Sequence, residues 1–165
     1  MGIIGSFEGY ISSPLYLYNN GNWGGVSTTG VTMILNYRTK IVYESDRISL
    51  KNTYGTILSN NLNTNIRLNE TVDLSRYNFI KVSIKLIGGF VDKVRLGITT
   101  SASASSYTAY SDSSGSGYII LNISSYSGFY YIYLQLIGAD GFSVQNASSE
   151  TYTFLAFNQI LLSNN

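Results

Sequence analysis

The chain has 165 residues, of which 44% are hydrophobic and only 12% are charged, and its net charge at pH 7 is +1. This length and composition fit one folded domain, and the near-neutral charge gives no basic patch for a nucleic acid. Because the chain contains neither His nor Cys, a Ser-His-Asp triad, a thiol nucleophile and a Cys/His zinc site are excluded.

Short runs rich in β-branched and aromatic residues recur along the chain, and no segment has a helical periodicity. We predict strands near residues 15–19, 31–37, 40–44, 47–51, 55–59, 64–68, 78–87, 92–99, 118–123, 129–137 and 151–162. Such short, evenly spaced strands are typical of a sandwich or barrel. We therefore predict an all-β fold, a two-sheet antiparallel sandwich of jelly-roll type. It forms a single domain over residues 1–165, with residues 1–14 as an extended N-terminal arm.

The first predicted strand alternates leucine and tyrosine, which places Tyr16 and Tyr18 on an outward face. Trp23 follows in a Gly-rich loop, residues 19–30. There it is either a platform for a sugar ring or an anchor that holds the loop on the core. A second loop, residues 100–117, is nearly a serine tract, and a loop of that length is usually functional or mobile.

Two long strands flank Gly88 and Gly89. The first points Ile80, Val82, Ile84 and Leu86 to the core, and the second does so with Val94, Leu96 and Ile98. A two-residue hairpin at the glycines would pair Ile84 with Lys93 and mix core with solvent faces. A longer or bulged connection avoids this conflict, and so does a crossing between two sheets, which favours the jelly roll.

The tyrosine-rich strand 129–137 carries the main candidate surface. Its inward set is Ile132, Leu134 and Leu136, and its outward set is Tyr131, Tyr133 and Gln135. Aromatic rings flanked by amides suit sugar rings. They are equally typical of a subunit contact or of cross-strand packing on a wet sheet face, and all three interpretations stay open.

The last strand has apolar residues on both faces, with Phe154 on one and Phe157 on the other. A wet outer sheet does not have that pattern, and large apolar patches are rare on monomers. We therefore expect a homo-oligomer with Phe154 or Phe157 near the contact.

The carboxylates do not suggest catalysis or metal binding. Glu44 and Asp46 are close, but the string Glu44-Ser45-Asp46-Arg47 indicates a turn with local charge pairing. No EF-hand pattern is present. We expect no enzyme activity, no metal and no cofactor.

Three segments resemble a known family. They are VDLSRYNFIKVSIKL (72–86), LNISSYSGFYYIYLQLIG (121–138) and LYLYNNGN (15–22). In their order along the chain, with 15–22 first, they resemble jelly-roll, carbohydrate-binding-like domains in tail and minor structural proteins of phages of Gram-positive bacteria. Locally, Asp73 and Ser75 are expected to cap a turn that Tyr77 covers, and Asn122, Ser124, Ser125 and Gly128 a matching turn.

The resemblance implies a structural or adhesive role in a virion and no catalytic site. Because this domain stands alone behind its own Met1, we expect a small accessory protein, such as a capsid decoration, head-fibre or tail-associated subunit. The expected partners are other virion proteins, further copies of the chain and a cell-surface glycan, with no nucleic acid and no membrane. The expected location is the virion, since the N-terminus lacks a signal-peptide pattern. The alternative is a stand-alone carbohydrate-binding module.

Overall fold

The computed structural model describes residues 13–24, 29–36, 38–53, 55–58, 63–103, 106–139, 143–147 and 152–165. Within these residues the chain forms strands and no helix. The strands are β1 (Leu15–Asn19), β2 (Asn22–Trp23), β3 (Val31–Leu35), β4 (Thr39–Tyr43), β5 (Ile48–Asn52), β6 (Gly55–Leu58), β7 (Asn63–Leu68), β8 (Val72–Asp73), β9 (Phe79–Ile87), β10 (Val91–Thr99), β11 (Ala109–Ser113), β12 (Gly117–Asn122), β13 (Phe129–Gly138), β14 (Ser143–Ala147) and β15 (Thr153–Ser163). None of the described segments is a helix that is long and apolar enough to cross a membrane.

Two antiparallel sheets pack face to face, which confirms the predicted all-β sandwich. The β15 sheet has the order β12-β9-β15-β1-β2. On the side of β15 away from β9, β1 pairs with one end of the strand and β5 pairs with the other end, and β4 pairs with β5. The β13 sheet has the order β11-β10-β13-β7-β3, with β8 beside the start of β13. β6 and β14 form a separate pair.

The chain crosses from one sheet to the other between β9 and β10, which is the alternative that the predicted register conflict favoured. Val91 N donates to Gly88 O at 3.0 Å, and Gly88 N donates to Phe154 O at 2.9 Å. A Cβ atom on Gly88 would lie 2.4 Å from the Thr153 carbonyl oxygen. Only glycine therefore fits where this crossing connection passes β15.

Most of the predicted core is confirmed, because the inward residues of β10 and β13 are buried between the sheets. Leu86 was placed wrongly in the core, and its side chain is 44% exposed. The pairing of β9 with β15 slips between Leu86–Ala156 and Ile84–Phe157, so that β9 has one extra residue, Lys85, at this point. Such a bulge reverses the in-out alternation beyond it.

The predicted loop 100–117 was partly wrong. Residues 109–113 form β11, which pairs with β10 at the edge of the β13 sheet. The sequence Ala-Tyr-Ser-Asp-Ser has little intrinsic strand preference. Strand formation here comes from pairing with β10, which one segment's composition does not reveal.

Candidate functional site

Two turns of the same design lie side by side and connect the segments that carry the family resemblance. In the first, Asp73 Oδ1 accepts hydrogen bonds from Ser75 N at 3.0 Å and from Ser75 Oγ at 2.6 Å. In the second, Asn122 Oδ1 accepts from Ser124 N at 2.9 Å and from Ser124 Oγ at 2.7 Å. We call residues 73–77 and 122–128 the paired turns.

The paired turns are bonded to each other as well as within themselves. Gly128 N donates to Ser75 Oγ at 2.9 Å, and Leu74 N donates to Gly128 O at 2.9 Å. Gly128 has a φ of +91°, a conformation that favours glycine. Tyr77 packs against the core from the first turn, as Tyr126 does from the second. The predicted capping of both turns is confirmed.

The predicted tyrosine face of β13 is closed rather than open. Tyr133 is fully buried, its hydroxyl donates to Ser101 O at 2.5 Å, and the Tyr107 ring lies 5.5 Å from its own ring. Gly97 pairs with Tyr133, and a Cβ atom there would lie 2.6 Å from Tyr107 Cγ. Burial raises the pKa of Tyr107 to about 12. The prediction that Tyr133 faces solvent was therefore wrong.

Tyr131 and Gln135, the other two residues of the predicted outward set, also contact side chains of the same sheet. The Arg67 guanidinium lies 4.4 Å from the centre of the Tyr131 ring, and Arg67 Nε donates to Ala102 O at 2.9 Å. Gln135 Nε2 donates to Asn63 Oδ1 at 2.7 Å. The serine-rich segment thus folds back over this face, and cross-strand packing is the interpretation that the contacts favour.

The N-terminal candidates divide between core and surface. Leu17 is an extra residue in the pairing of β1 with β15, so that both Leu17 and Tyr18 are buried. Tyr18 was therefore predicted wrongly as outward, whereas Tyr16 is 37% exposed. Trp23 packs against the core with its ring centre 4.9 Å from that of Tyr18. Its contacts are those of a loop anchor.

Phe154 and Phe157 are both fully buried inside the single chain. Phe157 lies between the sheets, where it lines a small void together with Ile66 and Leu134 of the β13 sheet. The pairing of β15 shifts near both residues, which interrupts the alternation that placed them on opposite faces. The expectation that one face of this strand lacks a cover within the single chain was therefore wrong, while a homo-oligomer with Phe154 or Phe157 near its contact stays a prediction.

Carboxylates with a shifted pKa are all held in the ionised form by hydrogen bonds. Ser49 and Lys51 lower the pKa of Glu44, and Arg47 lowers that of Asp46. Arg95 likewise lowers the pKa of Asp112, and Ser75 that of Asp73. The predicted pairing at residues 44–47 is confirmed, since Arg47 Nη2 lies 2.9 Å from Asp46 Oδ2. Within the described residues, no three acidic side chains form a metal-binding group.

An open groove lies instead on the outer face of the β15 sheet, opposite to the predicted site. Its volume is about 660 Å³, and we call it the polar groove. It is lined by Asn20, Ser83, Ile84, Lys85, Ser116, Gly117, Tyr118, Asn158 and Gln159. None of the residues predicted as a binding site lines it.

The backbone brings these residues together through a turn and a bulge. Asn20 and Gly21 join β1 to β2 with φ values of +47° and +92°, as in a type I′ hairpin turn. Asn158 is an extra residue between Phe157 and Gln159 in the pairing with β9, and both amides consequently line the groove. The amide Asn158 Nδ2 donates to Asn20 Oδ1 at 2.6 Å, and Asn20 N donates to Asn158 O at 2.7 Å.

The groove residues form a hydrogen-bonded row across the sheet. Tyr118 pairs with Ser83, Ser83 with Gln159, and Gln159 with Asn19. The Tyr118 hydroxyl donates to Gln159 Oε1 at 2.7 Å, and Gln159 Nε2 donates to Asn19 Oδ1 at 3.0 Å. The Tyr118 side chain is thus held at its tip although the residue is 53% exposed.

One local signal in the sequence points to part of this groove. Asn20-Gly21 between two strand-like runs is the dipeptide most typical of a two-residue hairpin, and it predicts both the turn and β2. The bulge at Asn158 has no comparable signal, because it arises from pairing with β9.

Comparison of the chain with protein-family models, with curated proteins and with solved structures finds no match. A function must therefore be inferred from this chain's own residues.

Proposed function

We propose that this protein is a non-catalytic accessory protein of a phage virion, on the capsid or the tail, that docks on a larger particle and contacts host-surface glycans. The paired turns carry the proposal. The two longer segments that resemble virion domains are separate in sequence, yet Ser75 and Gly128 join them by a hydrogen bond. The same capping design in both segments supports a common structural module.

The strand order supports the jelly-roll part of this proposal. Eight strands form the centre of the sandwich, and in chain order they are β1, β7, β9, β10, β11, β12, β13 and β15. One sheet has the order β1-β15-β9-β12, which are the first, eighth, third and sixth of these strands. The other has the order β7-β13-β10-β11, which are the second, seventh, fourth and fifth. Sequential strands thus alternate between the sheets except for β10 and β11, which are neighbours in one sheet, and this is the order of a double Greek key.

The charged groups support a non-catalytic role. Hydrolysis of a glycoside needs one carboxyl group that keeps its proton near neutral pH and a second that is ionised. The four carboxyl groups with a resolved shift have lowered pKa values, and each accepts hydrogen bonds from a neighbouring side chain. They act as structural acceptors.

Purified particles give the direct test. Phage particles produced by the strain that encodes the protein are banded twice in a density gradient, and their peptides are quantified by mass spectrometry. We expect this chain at a constant ratio to the major capsid protein in both gradients. Its recovery only in the particle-free fraction would overturn the virion assignment.

A stand-alone carbohydrate-binding module is the second candidate, and the polar groove favours it. Amides, hydroxyls and one half-exposed tyrosine are the side chains that contact sugars. The particle experiment separates the two candidates, because a stand-alone module stays in the particle-free fraction and still binds sugar.

A further inference from the structure

The polar groove has the size and pre-arrangement of a ligand site. Its volume of about 660 Å³ lies within the usual range for small-molecule pockets. Its amides are held by one another, from Asn158 to Asn20 and from Gln159 to Asn19. A ligand therefore meets side chains that have already lost most of their freedom, which lowers the entropic cost of binding.

The chemistry of the groove selects among ligand classes. Asn20, Asn158 and Gln159 each present both donors and acceptors, as does the Ser83 hydroxyl. Such a set matches a ligand whose own groups both donate and accept, as the hydroxyls of a sugar do. The Tyr118 ring adds an apolar surface for the C–H face of a pyranose.

The charge of the groove argues against anionic ligands. Among the described residues that line it, Lys85 is the only one with a charged side chain. Phosphate and nucleic-acid sites use several cations, often bidentate arginines. A neutral ligand fits better.

One buried amide atom also points to an unmet hydrogen bond at the groove wall. Asn158 is 9% exposed, and its Oδ1 has no hydrogen-bond donor among the described residues. A buried acceptor without a donor destabilises the fold, because its lost hydration is not replaced. A hydroxyl group that reached this oxygen would supply the missing donor.

We propose that the polar groove of the β15 sheet is a binding site for a neutral oligosaccharide, with Tyr118 as the stacking platform and Gln159, Asn158 and Asn20 as hydrogen-bonding groups. This inference rests on the glycan contact in the proposed function and is independent of the location on a virion. It moves the glycan site from the β13 face to the opposite sheet.

The test uses the full chain and three neutral probes, namely chitotriose, maltotriose and cellotriose. Binding is followed by two-dimensional ¹H–¹⁵N NMR of the side-chain amides. We expect at least one probe to shift the amides of Asn20, Asn158 and Gln159 in a saturable manner. Saturable shifts confined to Asn63 and Gln135, or no shift with any probe at about 10 mM, which is far above a useful Kd, would overturn the proposal.

Substitutions then locate the site. Tyr118→Ala is expected to weaken binding at least about tenfold, as loss of an aromatic anchor does, and Gln159→Ala to weaken it similarly. The matched control is Tyr110→Ala, because Tyr110 is 54% exposed but lies on the β13 sheet. Equal loss of binding in Tyr118→Ala and Tyr110→Ala, with unchanged thermal midpoints, would refute the assignment to this groove.

The two proposals fail separately. If the virion assignment is wrong, particles lack the protein while the probes still shift the groove amides. If the groove assignment is wrong, the protein still bands with particles, and Tyr118→Ala leaves glycan binding unchanged.

Discussion

Phe157→Ala tests whether the last strand belongs to the core of one chain or to a contact between chains. The ring is fully buried between the sheets, beside a void of about 10 Å³ that is lined by residues of both. Truncation enlarges this void because the surrounding strands are fixed by their ladders. A buried Phe→Ala change costs about 3–5 kcal/mol, a large part of the 5–15 kcal/mol that stabilises a typical domain.

The chain contains a suitable fluorescent probe for the measurement. Trp23 is its single tryptophan, 4.9 Å from Tyr18, and Tyr18 in turn lies 6.2 Å from Phe157 between ring centres. Urea unfolding followed by tryptophan fluorescence therefore reports on this part of the core. The matched control is Phe129→Ala, because Phe129 is 64% exposed. The control should lose no more than about 0.5 kcal/mol.

Two results would refute this reasoning. A loss below about 1 kcal/mol in Phe157→Ala would show that the ring is not packed as a core residue. A full loss that disappears at high protein concentration would show that a partner chain covers the ring. In that case the original assignment to an oligomer contact would be restored.

Three further changes test other parts of the structure. Gly97→Val should displace the Tyr107 ring and lower the pKa of Tyr107 from about 12 towards the ordinary value near 10, as measured by ultraviolet titration. In the native protein the raised pKa of Tyr107 makes stability depend on pH: the contribution is full below about pH 10 and is lost as the pH rises through about 12, so the alkaline limb of the stability curve should be flatter in the variant. Asp112→Asn should flatten the acid limb of the stability curve. Hydrogen bonds from Arg95 are the main cause of the lowered pKa of Asp112. This contribution to stability is full at pH values above the ordinary pKa of an aspartate, and it is lost as the pH falls through the lowered pKa of Asp112 in the native protein. Ser75→Ala should lower the free energy of unfolding by about 1–2 kcal/mol, because it removes the side-chain hydrogen bond between the paired turns and the one to Asp73, whereas Ser125→Ala should change it by less than about 0.5 kcal/mol in the same urea titration. Equal effects of the two serine substitutions, an unchanged Tyr107 titration or an unaltered acid limb would each contradict the corresponding contact.

Local patterns predicted a large part of the fold. Alternation in β10 and β13 identified the residues that lie between the sheets, and the parity of Ile84 and Lys93 across the glycines favoured a crossing between sheets. The paired turns were also predictable, because Asp73 and Asn122 bond to groups only two residues away. These features depend on neighbours in sequence.

The errors arise where distant segments meet. Extra residues at Leu17, Lys85 and Asn158 reverse the alternation, and each is defined by the register with another strand. Tyr133 was assigned to the surface because its cover comes from Tyr107, which lies in a different connection of the chain. The polar groove was missed for the same reason, since its walls come from the turn after β1 and from β9, β12 and β15.

The position of β15 has a consequence for folding during synthesis. This strand is near the middle of its sheet and pairs with β9 on one side and with β1 and β5 on the other. Until residues 153–163 leave the ribosome, β9 and β1 have no common neighbour, and both present unpaired edges to other chains. The contacts between β1 and β15 join residues that are separated by most of the chain, and forming such distant contacts slows folding. We therefore expect the nascent chain to depend on chaperones until its last strand is released, and ribosome-bound chains truncated before residue 153 to remain sensitive to proteases.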